Sequence, residues 1–236
     1  MNSPLVTVIT VCYNSENNIL KTLLSVKNQT YSNIEHVIID GNSTDNTNKI
    51  IKSFKNIHIS EPDEGIYFAM NKGLGFSNGK YICFLNSGDY YTPQFIEKSI
   101  KKINSDPSCK FVCSNLIEFN EKKTKKIKSN FPNNNGLQLP FLHPTLLCDK
   151  EIFEKYGLFD ESFKVFADIN WMLKINFKET HGLYFDFTGV YFEKEGISKS
   201  LHIKEYYRII QNLNFIDKFF HLFKYIFSNL INRLLW

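Results

Sequence analysis

Two acidic turns are where this chain could do chemistry. The apolar pair Ile38-Ile39 breaks into Asp40-Gly41-Asn42-Ser43-Thr44-Asp45 just before a helical pattern, and a second apolar run ends in Leu85-Asn86-Ser87-Gly88-Asp89. At the carboxyl edge of a sheet such turns gather polar side chains and free backbone N–H groups where a phosphorylated ligand docks. Asp40 can accept a hydrogen bond from the N–H of a uracil or guanine base, uracil being the first choice. Thr10, Tyr13 and Asn14, at the end of the preceding strand, are expected beside it as donor-binding residues. Asp89 is the metal candidate, because Mg²⁺ and Mn²⁺ take oxygen ligands and need only one or two carboxylates plus diphosphate oxygens and water. Asn86 and Ser87 stand in the same turn as further donor contacts. Each turn also has a plainer reading, Asp40 as a turn former and Ser-Gly-Asp as an ordinary β-turn.

Asp168 is the candidate general base. It falls in the first turn of a helical pattern, Ala167 to Ile175, where the helix dipole favours the ionised carboxylate, and Phe166 and Trp171 flank it with apolar surface. Dipole stabilisation alone would equally explain an acid there. His143, in Phe141-Leu142-His143-Pro144-Thr145, and Trp171 are the candidates for the acceptor side; a plain strand-end histidine fits His143 as well.

The elements that would bring these groups together alternate. Leu5 to Val11 reads as a buried strand, Ile19, Leu23 and Val26 recur at helical spacing, and Glu35–Asp40, Ile57–Ser60 and Tyr81–Leu85 read as strands with helices at Asp45–Phe54 and Ile66–Phe76 between them. That pattern predicts an α/β fold with a mostly parallel central sheet flanked by helices. A further helix starts near Pro93, Phe111 to Phe119 and Tyr184 to Phe192 read as strands, two helical segments follow Lys150, and Lys122 to Lys128 and Asn133 to Gly136 read as loops. The expected division is a catalytic domain over 1–200, its nucleotide-binding half ending near 92 and its acceptor half covering 93–200, followed by a helical tail over 201–236.

With 236 residues, 43% of them hydrophobic, the chain can bury a large core, which excludes wholesale disorder. The five cysteines are odd in number and two sit in apolar runs, which does not suit a disulfide framework. No basic leader precedes Leu5, and the expected compartment is the cytoplasm. The net charge of +4 comes from the tail, where Lys199, Lys204, Arg208, Lys218, Lys224 and Arg233 face Glu205 and Asp217. Asp217 to Trp236 reads as a basic amphipathic helix, too interrupted to span a bilayer, able to lie at the inner face of the plasma membrane or to pack on the domain or a second copy in a homodimer. Nothing in the chain points to nucleic acid.

Taken together, Thr10 to Asn14, Asp40 to Asp45, Glu61-Pro62-Asp63-Glu64-Gly65-Ile66-Tyr67 with Ala69-Met70-Asn71-Lys72-Gly73, Asn86 to Asp89, His143-Pro144, the Asp160 to Asp168 stretch and Glu195 to Ser198 resemble a family 2 inverting glycosyltransferase with a GT-A fold, of the bacterial surface-polysaccharide type. The resemblance covers about residues 4 to 200. It departs at Asn86 and Phe68, where the family commonly carries Asp. It implies a nucleoside-diphosphate sugar as donor, Mn²⁺ or Mg²⁺ held by Asp89, a base contact by Asp40, Asp168 deprotonating a hydroxyl of a glycan or lipid-linked acceptor, and Lys72 offsetting charge on the departing diphosphate. The absence of G-x-G-x-x-G after the first strand argues against a nicotinamide enzyme. A transferase-like subunit that only organises a polysaccharide pathway is the runner-up.

Overall fold

The computed structural model describes residues 3–120, 123–129, 143–177, 179–193 and 203–211. β1 (Val6–Cys12) is buried along its whole length, as a continuous β-branched run covered on both faces should be. β2 (Ile34–Asp40) and β4 (Tyr81–Phe84) flank it in parallel, and β3 (Ile57–Ser60) adds to β2, also parallel. The connections are α1 (Ile19–Lys27), α2 (Thr47–Ile51) and α3 (Ile66–Phe76). The carboxyl ends of these strands therefore share one edge, with Cys12 opposite Asp40 and Asp40 opposite Ser60.

The second half continues the sheet with mixed directions. β8 (Leu146–Asp149) runs antiparallel to β4 and to β6 (Phe111–Phe119); β9 (Gly182–Glu193) runs parallel to β6; and β5 (Tyr90–Tyr91) pairs antiparallel with β9. The reading of Lys122 to Lys128 as a loop needs correction: β7 (Thr124–Ile127) pairs with the far half of β6. Its lysines are exposed, and an edge strand guarded by charge has no alternating apolar signal to reveal it. β5 and β8 were not expected either, being only two and four residues long. α4 (Phe95–Ile103), α5 (Glu151–Tyr156), α6 (Ala167–Lys174), α7 (Ile203–Ile210) and a 3₁₀ turn at His143–Thr145 complete the described elements.

Side chains alternate across β1: Ile9 and Val11 enter one core with Met70, Phe84, Phe159 and Trp171, whereas Val6 and Val8 enter another with Leu85, Phe95 and Val112. α3 lies close on the first face, since a Cβ at Gly73 would stand 2.4 Å from Ile9 Cγ2. Tyr206 and Ile209 of α7 are buried in the same core, so the chain from 203 packs on the domain from which the predicted boundary separates it. The segment from Asp217 to Trp236 and the Glu195 to Ser198 motif lie outside the described residues. All five cysteines are buried and free.

One pairing within the sheet makes a prediction about acid. Thr10 Oγ1 lies 2.9 Å from His36 Nε2, and burial pushes the imidazole from 6.5 down to about 4. Between those pH values the unfolded chain binds a proton that the folded chain refuses, so stability is lost as pH falls through this window. Urea midpoints between pH 7 and 4 should show an acid-dependent loss on the order of 2 kcal/mol, after discounting for the ring's residual solvent contact. His36→Gln should lack it; an identical pH dependence in that variant overturns the assignment.

Candidate active site

At the end of β2, Asp40 is fully buried and its carboxylate is crowded with donors. Oδ2 accepts from the Ser43 backbone N–H at 2.9 Å, Asn48 Nδ2 at 3.0 Å and Ser60 Oγ at 2.6 Å, and Oδ1 accepts the Ser43 hydroxyl. Burial alone would raise its pKa, but these bonds outweigh burial and hold it below the ordinary carboxylate range. Asp40 thus stands at the expected edge but pins the loop after β2, and a base N–H reaches it only by displacing a present donor. Asn14 and Asn42 take left-handed conformations (φ 45° and 65°), and Asn14 ties the two strand-end loops together: its Oδ1 accepts the Thr44 N–H at 2.9 Å and its N–H donates to Ser43 Oγ at 2.8 Å. Tyr13 is 63% exposed beside Gly41, where a Cβ would stand 3.4 Å from its ring and 2.9 Å from Asp63 Oδ2. Tyr13 and Asp63, the latter part of the Glu61 to Tyr67 motif, flank the close approach at Gly41.

Two residues expected to contact the donor have other partners in this structure. Thr10 is completely buried and bonded to His36, because β1 runs on to Cys12 and keeps residue 10 inside the sheet. Lys72 pairs with Glu61, at 2.5 Å, and lies 4.8 Å over the Phe68 ring. Placing α3 beside the end of β3 brings these partners together, which residue spacing does not disclose.

The second turn is braced from α1. Thr22 Oγ1 donates to the Asp89 carbonyl at 2.7 Å and accepts the Gly88 N–H at 3.0 Å, while Ser87 N–H donates to the Val11 carbonyl at 3.1 Å. Gly88 has φ 104°, and a Cβ there would stand 2.4 Å from Glu193 Oε2. Asp89 is 3% exposed, and its Oδ1 accepts the Glu193 N–H of β9 at 2.8 Å. Burial pushes its carboxyl up to about 7, against the pull of that hydrogen bond and of nearby His143 and Lys21. Lys21 pairs with Glu193 at 3.1 Å and so brings a cation beside this turn. Thr22 and Lys21 escaped the sequence reading; the available signal was a polar residue on the buried stripe of α1.

Whether this turn suits a divalent cation can be tested on its own atoms. Asn86 Oδ1 and Ser87 Oγ are buried without a hydrogen-bond partner among the described residues. Uncompensated burial of polar oxygens is costly, and oxygen is the donor Mg²⁺ and Mn²⁺ take. The set fits such an ion. No group of three or more His, Cys, Asp or Glu side chains clusters as a cage among the described residues, so diphosphate and water would complete the shell.

Asp168, 7% exposed in the first turn of α6, has both oxygens engaged. Oδ1 accepts from Ile169 N–H at 2.8 Å and Tyr67 hydroxyl at 3.0 Å; Oδ2 faces His143 Nδ1 at 2.8 Å. Tyr67 shares its one hydroxyl proton between Asp168 Oδ1 and the Val165 carbonyl, and burial first, then Asp168, drives its pKa upward. On the far side of the imidazole, Nε2 meets Asn86 Nδ2 at 3.3 Å. With the Asn86 amide turned this way Nε2 is the acceptor, and a neutral ring then carries its proton on Nδ1, facing Asp168. His143 therefore links the two predicted centres directly. Trp171 needs correction as an acceptor residue: it is 1% exposed, stacked on Phe153 at 4.3 Å, with Nε1 donating to the Gly157 carbonyl at 2.7 Å. Asp168 and Trp171, three residues apart, share the buried face of α6, Trp171 entering the aromatic core while Asp168 meets His143 and Tyr67.

The family model for glycosyl transferase family 2 matches residues 7–167. WfaP of Escherichia coli, a UDP-Glc:alpha-D-GlcNAc-diphosphoundecaprenol beta-1,3-glucosyltransferase, is 30% identical over 176 residues, covering 73% of this chain and 69% of WfaP. An uncharacterized glycosyltransferase of Rickettsia prowazekii is 29% identical over 212 residues, 84% of this chain; the matched part spans 64% of that relative, a little under two thirds of its length. Among solved structures, S. aureus TarS 1–349 in complex with UDP-GlcNAc superposes with a TM-score of 0.74 at 20% identity, covering 94% of this chain and 71% of that one. The mannosyltransferase PcManGT from Pyrobaculum calidifontis, in complex with GDP-Man and Mn²⁺, gives 0.66 at 18% identity, covering 89% and 63%. The fold is GT-A. With strand edge, acidic turns and family model in agreement, the chain belongs to glycosyl transferase family 2.

Proposed function

We propose that the chain moves a sugar from a nucleoside-diphosphate sugar onto a hydroxyl of a glycan or lipid-linked acceptor, inverting the anomeric centre, in the assembly of a surface polysaccharide. The observation that carries this reading is the unbroken run from the Asp89 turn through Asn86 and His143 to Asp168. It sets a carboxylate with an orienting imidazole beside a turn suited to a diphosphate. The donor and acceptor named for WfaP, and the UDP-GlcNAc and GDP-Man bound to the structural neighbours, support a nucleotide sugar, with uridine ahead of guanosine.

In this reading Tyr13 and the Asp40 loop take the nucleotide, and Asp89 with Asn86 Oδ1 would hold Mn²⁺ or Mg²⁺. A divalent cation supplies positive charge to the diphosphate oxygens. Asp168 accepts the acceptor's hydroxyl proton as that oxygen bonds to the anomeric carbon, and the carbon–oxygen bond to diphosphate breaks with its electron pair leaving on the phosphate. His143 fixes the carboxylate through Nδ1–H and keeps one oxygen turned toward the metal turn. No helix among the described residues is long and apolar enough to cross a bilayer.

A thermal-shift screen of uridine- and guanosine-diphosphate sugars with and without Mn²⁺ tests the donor class. A sugar nucleotide at 100 times its Kd adds about 2.7 kcal/mol, or roughly 5–10 °C for a domain of this size. The hit should also be consumed in the presence of Mn²⁺. A panel in which no nucleotide sugar shifts the transition or is turned over removes the reading and favours a pathway scaffold.

A further inference from the structure

The described start of the C-terminal segment grips the loop that leads into the general base. Glu205 of α7 accepts the backbone N–H of Lys164 at 2.9 Å and of Val165 at 3.0 Å, one on each carboxylate oxygen. Three residues on, Arg208 donates to Ser162 Oγ at 2.9 Å, stands 3.9 Å from Asp160 Oδ2 and covers the Phe163 ring at 4.0 Å. Between them Tyr206 packs edge-on against Phe166, with centroids 5.9 Å apart, and is buried with Ile209. Every one of these partners lies between 160 and 166, the segment that ends where α6 begins. The same segment reaches Asp168 a second way, because the Val165 carbonyl takes the Tyr67 hydroxyl that also meets Asp168 Oδ1.

A carboxylate on two successive N–H groups makes charge-assisted bonds, stronger than neutral ones and fixed in direction. Loops otherwise carry the lowest local stability in a fold, and a misplacement of about 1 Å at a reacting group can cost 10²-fold in rate. We propose that α7 clamps the catalytic loop and that Glu205 is a positioning residue for Asp168, acting on turnover through residues 160–166 and not on donor binding. The proposal rests on Asp168 being the base.

The test compares Glu205→Ala, Glu205→Gln and Arg208→Ala in the full chain. Binding is read by calorimetry with uridine diphosphate and Mn²⁺, turnover with the nucleotide sugar selected by the screen, and loop order by amide hydrogen exchange. Glu205→Ala should lower kcat 10- to 100-fold with Kd unchanged within twofold, and speed exchange of the 160–166 amides at least tenfold while the 34–45 segment stays as it was. Glu205→Gln, which keeps one acceptor oxygen, should recover part of both. Arg208→Ala, on an exposed side chain, should slow turnover about 3- to 10-fold and serves if Glu205→Ala does not fold. Normal kcat and normal exchange in a folded Glu205→Ala protein overturn the clamp. Equal losses in kcat and in nucleotide binding overturn it too, by showing general damage. Failure of Asp168→Asn to slow turnover strikes the base assignment instead, and the exchange measurement still decides the clamp.

Discussion

An Asp168→Asn protein is expected to bind nucleotide as the unaltered chain does and to turn over 10²–10⁴-fold more slowly. The amide has almost the shape of the carboxylate, so Ile169 N–H and the Tyr67 hydroxyl keep an acceptor oxygen and α6 keeps its first turn. Proton acceptance is lost. The substitution also reverses a hydrogen bond, because an amide NH₂ now faces His143 Nδ1–H where Oδ2 accepted it. The ring relieves this by moving its proton to Nε2, which gives up the contact with Asn86 Nδ2. Nitrogen-15 spectra of His143 should report that change of tautomer, giving a readout independent of turnover. His143→Ala is expected to slow the unaltered chain and to cost almost nothing more in the Asp168→Asn background, since both act on one proton. A variant within tenfold of normal turnover, or a His143 effect undiminished in the double mutant, takes the role away from Asp168.

The fold was legible because its signals are local. β3, α3 and β6 begin and end where apolar runs and turn residues put them, and the helix start at Ala167 follows from its own sequence. The strand edge that collects Asp40 and the Asn86 to Asp89 turn follows from alternation alone, since right-handed crossovers leave little choice. What stayed hidden depends on pairs far apart in the chain. Lys72 reads as a free cation until the end of β3 brings Glu61 to it, and Thr10 reads as a rim residue until His36 appears beside it. Trp171 shares a helix with Asp168, yet its ring belongs to the core with Phe153 and Phe159. His143 was visible as a candidate, but its place between two centres depends on β8 lying next to β4, a pairing too short to leave a pattern. The donors crowding Asp40 include Asn48 and Ser60, which read as ordinary helix and strand polar residues. Reading an acid at a strand end thus locates an edge more securely than it assigns a contact.

Asp89→Asn should move stability and activity in opposite directions. Position 89 is 3% exposed, and burial lifts its carboxyl from 3.8 to about 7. Between those values the unfolded chain releases a proton that the folded chain retains, so stability is lost as pH rises through the window. In metal-free buffer well above pH 7 the ionised form therefore costs the fold on the order of 4 kcal/mol. Asparagine keeps an oxygen for the Glu193 N–H and carries no charge, so the variant should melt several degrees higher at pH 8 without metal, on the order of 2–4 °C for each kcal/mol recovered. Its turnover should fall at least 10²-fold, the scale for removing one preorganised electrostatic group from a reacting centre. Mn²⁺ with uridine diphosphate should then raise the transition of the unaltered chain and leave that of Asp89→Asn almost unmoved. Such a result identifies the carboxylate as one retained for function at the expense of stability. A variant that is no more stable than its parent, or that still responds to Mn²⁺ as the parent does, contradicts the placement of the cation at this turn.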